Sequence, residues 1–302
     1  MTNPLNNKIF QNADKARAWL EALLWVDGRA CGYCGVVNES TPIAGRDGYY
    51  QCNACRKQFT VMVGTVFERS HIPLNKWLMA AFLLCASKKG ISAHQMHRML
   101  GITYKSAWFM MHRLREALVD LTPGPIGGEG KIVEADETYI GTREQRSMSA
   151  GMHNKRAVLA LVERDGKARS FHIGKTTKKG IYDILRTNVD RKSRFMTDEA
   201  PHYKAGFGVQ HDTVNHSAKE YARGDVTTNT VEGFFSIFKR GFKGVYQHCG
   251  EQHLHRYLAE YDFRYNNRSA LGVEDVERTT KAIQGIQGKR LTYRRINQAQ
   301  NN

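Results

Sequence analysis

Three carboxylates and a lysine between positions 136 and 239, and four cysteines between positions 31 and 55, are the residues whose types and spacing could do chemistry. Asp136 lies in the stretch 131–140, where apolar and polar residues alternate as in a half-buried strand. A carboxylate among Ile132, Val133 and Ala135 is costly unless it meets a cation. Asp198 ends a second short strand, Arg194-Phe-Met-Thr197. Glu232 falls on a helix spanning 229–239, on one stripe with Asn229, Ser236 and Lys239. Val231, Phe234, Phe235, Phe238 and Phe242 take the other side, so the helix docks on a sheet and the direction of Glu232 is fixed. The spacing leaves two readings open, an acid converging on two aspartates or a solvated Glu–Lys pair. Asn229 is likewise either a group that steadies Glu232 or a helix cap.

Cys31-Gly-Tyr-Cys34 and Cys52-Asn-Ala-Cys55 form two C-x2-C pairs separated by seventeen residues. Two tight turns, each presenting two thiolates, supply the tetrahedron of soft ligands that structural Zn2+ prefers. Gly32 and Gly35 permit such turns, and 49–51 and 57–61 read as strands flanking the second pair. A redox dithiol is the competing reading, and the matched spacing argues against it. Whether such a ribbon contacts DNA or is purely structural stays open. Cys85, inside an apolar helix, reads as a small core residue.

The elements that position these groups fall into segments. Residues 1–69 hold the ribbon. Residues 70–122 are helical, with Pro73 starting one helix, Ser92 capping Ala93–Leu100, and Thr103 capping a longer helix through Ala117. Two helices joined by Gly101-Ile102 have a helix-turn-helix pattern, with Lys105, Ser106, His112, Arg113 and Arg115 available to DNA. A small bundle with solvated basic residues fits the same pattern. The Pro- and Gly-rich stretch 123–130 reads as a linker. Residues 131–270 alternate strands and helices: a hairpin of Arg156–Glu163 and Ala168–Ile173 around Asp165-Gly166, a helix over 176–189, a strand near 211–214 and a closing helix over 251–266. That order predicts an α/β domain with a mixed sheet. Residues 271–302, including Lys289-Arg290 and Arg294-Arg295, read as a polar basic tail.

Forty-five Lys and Arg against 29 Asp and Glu leave a net charge of +16 over 302 residues, which favours a polyanionic partner. No apolar run approaches the roughly 20 residues needed to span a bilayer. The N-terminus lacks the apolar centre of a secretion signal, so a protein of the cell interior (cytoplasmic), in a reducing compartment, is expected, with no membrane partner. Arg240, Lys243, Arg256, Arg264 and Arg268 read either as a DNA-facing surface or as solvated charge. His202, His211, His216 and His248 read as structural or exposed, and Glu137 and Glu199, next to the acids, as surface residues.

Glu-Ala-Asp136-Glu-Thr-Tyr-Ile-Gly, Met-Thr-Asp198-Glu-Ala, Asn229-Thr-Val-Glu232-Gly-Phe-Phe-Ser-Ile-Phe-Lys239-Arg and Arg264-Tyr-Asn-Asn-Arg268 resemble the insertion-sequence transposases of the IS1595 (ISXO2-like) type. The resemblance covers nearly the whole chain, because those proteins also carry an N-terminal zinc ribbon. It implies a ribonuclease-H-like catalytic domain with a DDE triad of Asp136, Asp198 and Glu232, and Lys239 as an added phosphate-contacting lysine. Thirty-three residues separate Asp198 from Glu232. It further implies two Mg2+ (or Mn2+) at the triad, one structural Zn2+ on Cys31, Cys34, Cys52 and Cys55, and DNA as partner, both element ends and target. Pairing two ends implies at least a dimer on DNA, and the resemblance implies a nucleoid-associated protein of a prokaryote. The implied reaction is cleavage at element ends and joining of the 3′-hydroxyls to target DNA. A metal-dependent nuclease without strand transfer, or a domesticated DNA-binding regulator, remains the alternative.

Overall fold

The computed structural model describes residues 4–141, 155–174, 177–203 and 208–292. The chain folds as two compact units, Met1–Val119 with Glu274–Asn302, and Asp120–Val273.

In the first unit, helix α1 (Ala13–Leu24) is capped by Asn12, whose side chain accepts from the Lys15 N–H at 2.9 Å. The sequence reading left it inside the ribbon segment, because only Ala16 and Leu20 are buried and its apolar stripe is narrow. Three short antiparallel strands follow, β1 (Ser40–Pro42), β2 (Tyr50–Cys52) and β3 (Gln58–Phe59). Helices α2 (Leu74–Ala86), α3 (Ala93–Leu100) and α4 (Tyr104–Ala117) come next. Ser92 and Thr103 cap α3 and α4 through the N–H groups of Gln95 and Ser106. Gly101 ends α3 at φ 58°, and Cys85 is buried in α2.

Helix α4 corrects one expectation. His112, Arg113 and Arg115 are 2%, 7% and 2% exposed, so they face the core of this unit and are not available to DNA. Arg113 lies over the rings of Trp77 and Phe109 and donates to the Glu68 carbonyl, and burial lowers its pKa. Counting basic residues along α4 did not separate its faces. Lys105 is exposed and Ser106 half-buried.

The second unit is a five-stranded sheet with helices on both faces. Its strands are β4 (Ile132–Ile140), β5 (Arg156–Glu163), β6 (Ala168–Ile173), β7 (Arg194–Thr197) and β8 (Gln210–Thr213), in the order β6-β5-β4-β7-β8. β4, β5 and β6 are antiparallel, while β7 and β8 join parallel to β4. This mixed order is the ribonuclease-H-like arrangement. Helix α5 (Lys178–Asn188) covers one face through Ile181 and Leu185, packed with Val133, Ala135, Leu159 and Phe195. The start of the expected helix at Thr176 lies outside the described residues. A small hairpin, β9 (Ala222–Arg223) and β10 (Val226–Thr227), leads into α6 (Asn229–Gly241). Helix α6 and α7 (Leu254–Asn266) cover the opposite face, where Val231, Phe234, Phe235, Phe238 and Phe242 pack with Val158, Ala160, Val162 and Tyr261.

The stretch expected to be a linker is partly built into this unit. Ile126 is 3% exposed, donates to Asn188 at 2.7 Å and accepts from Asp190 at 2.9 Å. Gly127, at φ 98°, leaves no room for a side chain, since an added Cβ would lie 2.0 Å from the Ser193 hydroxyl.

The expected basic tail is a second correction. Asp275–Gln284 forms helix α8, which packs on α2 in the first unit, with Arg278, Thr279, Ala282 and Ile283 buried. Thr65 and Gln287 form an isolated β-bridge, and Val66 donates to the Ile286 carbonyl at 3.1 Å. A polar, basic composition concealed the helix because its apolar stripe is only a few residues wide. Arg294 and Arg295 lie outside the described residues. Ile283 is fully buried, so Ile283→Ala is expected to destabilise the first unit by about 2–5 kcal/mol. Chemical denaturation followed by hydrogen exchange at α2 checks this. A freely moving tail would show no change.

Candidate functional site

Side chains two apart on a strand share a face, which sets the site. Glu134 and Asp136 point from β4 toward α6, while Val133, Ala135 and Glu137 point toward α5. β7 runs parallel beside β4, with Met196 opposite Glu134, and Asp198 follows immediately beyond the strand end. Glu232 lies in the first turn of α6, and its Oε1 accepts from the Thr228 hydroxyl at 2.9 Å. His216 Nε2 stands 3.8 Å from the same carboxylate.

The three acids share one electrostatic environment. Burial, first, pushes the Asp136 carboxyl up to about 7, the Glu137 N–H opposes that shift, and the charges of Glu137, Asp198 and Glu232 add to it. A half-buried carboxylate held among like charges has the character of a cation site. Among the described residues the side chains gathered closely enough to hold a metal ion are the four cysteines, and the three acids are not gathered in that way. Carboxylate oxygens suit Mg2+, which keeps several of its waters.

Lys239 lies on α6 two turns beyond Glu232, half-buried, its ammonium 5.9 Å from the Phe235 ring centre. Asn229 is exposed and is the first residue of α6 rather than its cap. Arg240 and Lys243 are exposed, and Arg240 donates back to Ser236. Arg264 is not on a DNA-facing surface: it is 8% exposed and forms a buried ion pair with Glu260. Arg268 lies over the Tyr265 ring and donates to Gly166 and Tyr265 carbonyls.

Glu137 and Glu199 are not plain surface residues either. Glu137 does point away from Asp136, as strand alternation requires, but the short helix Pro201–Tyr203 covers that face. Its carboxylate meets His202 and Tyr203, and burial raises it to about 7. Burial also lowers the pKa of His202, against the opposing charges of Asp198 and Asp136. Glu199 accepts from the His216 and Ser217 N–H groups and the Ser217 hydroxyl, and these bonds hold it down at about 2.

Sequence reasoning missed Glu134 and Arg164 altogether. Glu134 is fully buried and accepts from Arg164 Nε at 2.6 Å and from the Thr230 and Val231 N–H groups at 2.7 and 3.0 Å. Its signal was present in Val133-Glu-Ala-Asp136, where two acids two residues apart must share one strand face.

In the first unit the four cysteine sulfurs lie within 4.8 Å of one another, with Cys31–Cys55 and Cys34–Cys52 each 3.7 Å apart. A tetrahedron with Zn–S bonds near 2.3 Å has S···S edges of about 3.8 Å, so the cysteines are positioned to bind Zn2+. The residue after each pair turns at positive φ, Gly35 at 77° and Arg56 at 59°. The Cys55 N–H, first, draws the Cys52 thiol down to about 7, against desolvation.

Comparison with known proteins agrees with both regions. Residues 127–266 match the ISXO2-like transposase domain, and residues 11–58 match the transposase zinc-ribbon domain. The chain thus carries an ISXO2-like transposase domain together with a transposase zinc ribbon. The chain is also similar to an uncharacterized protein in transposable element ISH50 of Halobacterium salinarum. The two are 26% identical over 281 residues, covering 85% of this chain and 92% of that protein. Among its described residues the chain has no helix long and apolar enough to cross a membrane.

Proposed function

We propose that this transposase cleaves DNA at insertion-sequence ends and joins the 3′-hydroxyls to target DNA, with Asp136, Asp198 and Glu232 as its metal ligands. The observation that carries the reading is the half-buried Asp136 in the field of Asp198 and Glu232, with its carboxyl pushed up to about 7, a charge arrangement that a divalent cation relieves. Asp136, Asp198 and Glu232 would together hold two Mg2+ (or Mn2+) ions. Bound there, such ions supply nucleophile activation and leaving-oxygen stabilisation for in-line displacement.

The protein's own groups do the placing. Thr228 donates to Glu232, and His216 stands beside the same carboxylate. Lys239, on the same helix, would meet a phosphate near the scissile bond. The exposed Arg240 and Lys243 extend that positive charge along α6 and beyond its end. The ribbon on Cys31, Cys34, Cys52 and Cys55 and the α3–α4 pair would bind element-end DNA, with Lys105 and Ser106 as the basic and polar contacts of α4. Assembly as at least a dimer on DNA, on the nucleoid in the cytoplasm, completes the reading.

The test is cleavage and joining of labelled element-end DNA with Mg2+, wild type against Asp136→Ala, Asp198→Ala and Glu232→Ala. Wild type is expected to cut and join. Each variant should bind the DNA and do neither. Retention of activity in any one variant removes that residue from the triad. Cutting without joining of precut ends would instead identify a nuclease, and binding without cutting a DNA-binding regulator.

A further inference from the structure

We infer that the pair of buried Glu134 and half-buried Arg164 is a positioning device that sets the spacing of Asp136, Asp198 and Glu232; this rests on the triad reading above. Every acid lies two residues beyond a group that the pair holds. Glu134 itself precedes Asp136 on β4, and both share a strand face. Arg164 Nη2 donates to the Met196 sulfur at 3.1 Å, two residues before Asp198. Glu134 accepts from the Thr230 N–H at 2.7 Å and the Thr230 hydroxyl at 2.9 Å, two residues before Glu232. Arg164 further donates to the Asp225 and Thr227 carbonyls at 2.8 and 3.1 Å, fixing the hairpin that delivers the chain to α6.

The capping of α6 supports the same role. A helix start ordinarily has its free N–H groups satisfied by its own N-cap side chain. Here Thr228 makes no such bond, because its hydroxyl goes to Glu232. Glu134 takes over the N–H groups of Thr230 and Val231 from 96 and 97 residues away, so α6 begins where β4 dictates. With Glu134 fully buried, Arg164 is the charge that balances it. Groups that orient metal ligands in this way commonly change metal affinity 10–100-fold when removed.

The experiment is titration of the full, zinc-loaded chain with Mn2+ alone, read by the electron-paramagnetic signal of free Mn2+, alongside thermal melting. Asp136→Ala marks the Mn2+ uptake that belongs to the triad. Glu134→Gln and Glu134→Asp are expected to melt cooperatively yet need at least about tenfold more Mn2+ for half-saturation. The double variant Glu134→Leu/Arg164→Met replaces the pair by apolar side chains, a change that buried pairs often tolerate. It should melt near wild type and still bind Mn2+ weakly. A folded variant of the pair with wild-type Mn2+ uptake overturns the inference. So does a set in which no variant folds, since the pair would then hold the fold and not the acids. If Asp136→Ala takes up Mn2+ as wild type does, the triad reading itself fails, and the inference with it.

Discussion

Asp136→Asn is expected to raise the melting temperature of the metal-free protein at pH 8 while abolishing cleavage. The two effects have one cause. The Asp136 carboxyl titrates at about 7 in the folded chain, raised chiefly by burial, against about 3.9 in an unfolded one. Between those values the folded state retains a proton that the unfolded state has lost. Stability therefore falls as pH rises from about 4 to about 7 and is flat on either side. About three pK units at 1.36 kcal/mol each set an upper limit of roughly 4 kcal/mol on the cost of the ionised group at pH 8. Asparagine removes that cost.

Saturating Mn2+ should reverse the ranking. Wild type gains stability in proportion to the logarithm of metal over its dissociation constant, and the Asn variant gains almost none. Protons compete with metal at the same carboxylate, so half-saturating Mn2+ should rise about tenfold per unit below pH 7. Melting curves at pH 5 and pH 8, with and without Mn2+, check all of this. An Asn variant that melts below wild type without metal at pH 8 would show that Asp136 serves the fold through its own bonds. Glu137, raised to about 7 by burial on the opposite sheet face, leaves a smaller pH dependence in the variant.

The contrast between what these residues revealed in sequence and what they did not is physical. Strand alternation around Asp136 and the phenylalanine stripe of α6 were legible because both elements have one apolar face of regular period, and the structure buries those faces. Helices α1 and α8 were not, because each buries only a few apolar side chains in an otherwise polar sequence. Basic residues were misread wherever charge was taken as a sign of exposure. His112, Arg113, Arg115 and Arg264 are buried, and for Arg113 and Arg264 the partners were a distant carbonyl and a carboxylate one turn away. Glu134 was invisible for a related reason. Its partners, Arg164, Thr230 and Val231, lie 30, 96 and 97 residues along the chain, and only the folded sheet brings them to it.

Removal of zinc is expected to unfold the ribbon while the sheet of the second unit stays protected. The ribbon's strands are three, three and two residues long. Its buried cluster is Cys31, Tyr50, Cys52 and Phe59, so half of that core is metal ligand. Trp25, packed edge-on against Tyr50 and Phe59 at 5.5 and 6.2 Å, adds the largest apolar surface nearby. A core this small does not hold a module of its size without a staple. Structural zinc supplies on the order of 10–16 kcal/mol of apparent binding energy to such modules near pH 7. Chelation, or Cys52→Ser, should therefore release one zinc per chain, expose the amides of β1, β2 and β3 to hydrogen exchange and shift Trp25 emission toward that of water-exposed indole. Persistence of amide protection after complete zinc loss would show that the apolar cluster suffices. The same zinc-free sample decides what the ribbon is for. If its affinity for element-end DNA falls together with the ribbon's protection, the ribbon is part of the DNA-binding surface. If affinity is unchanged, the four cysteines serve the fold of the first unit alone.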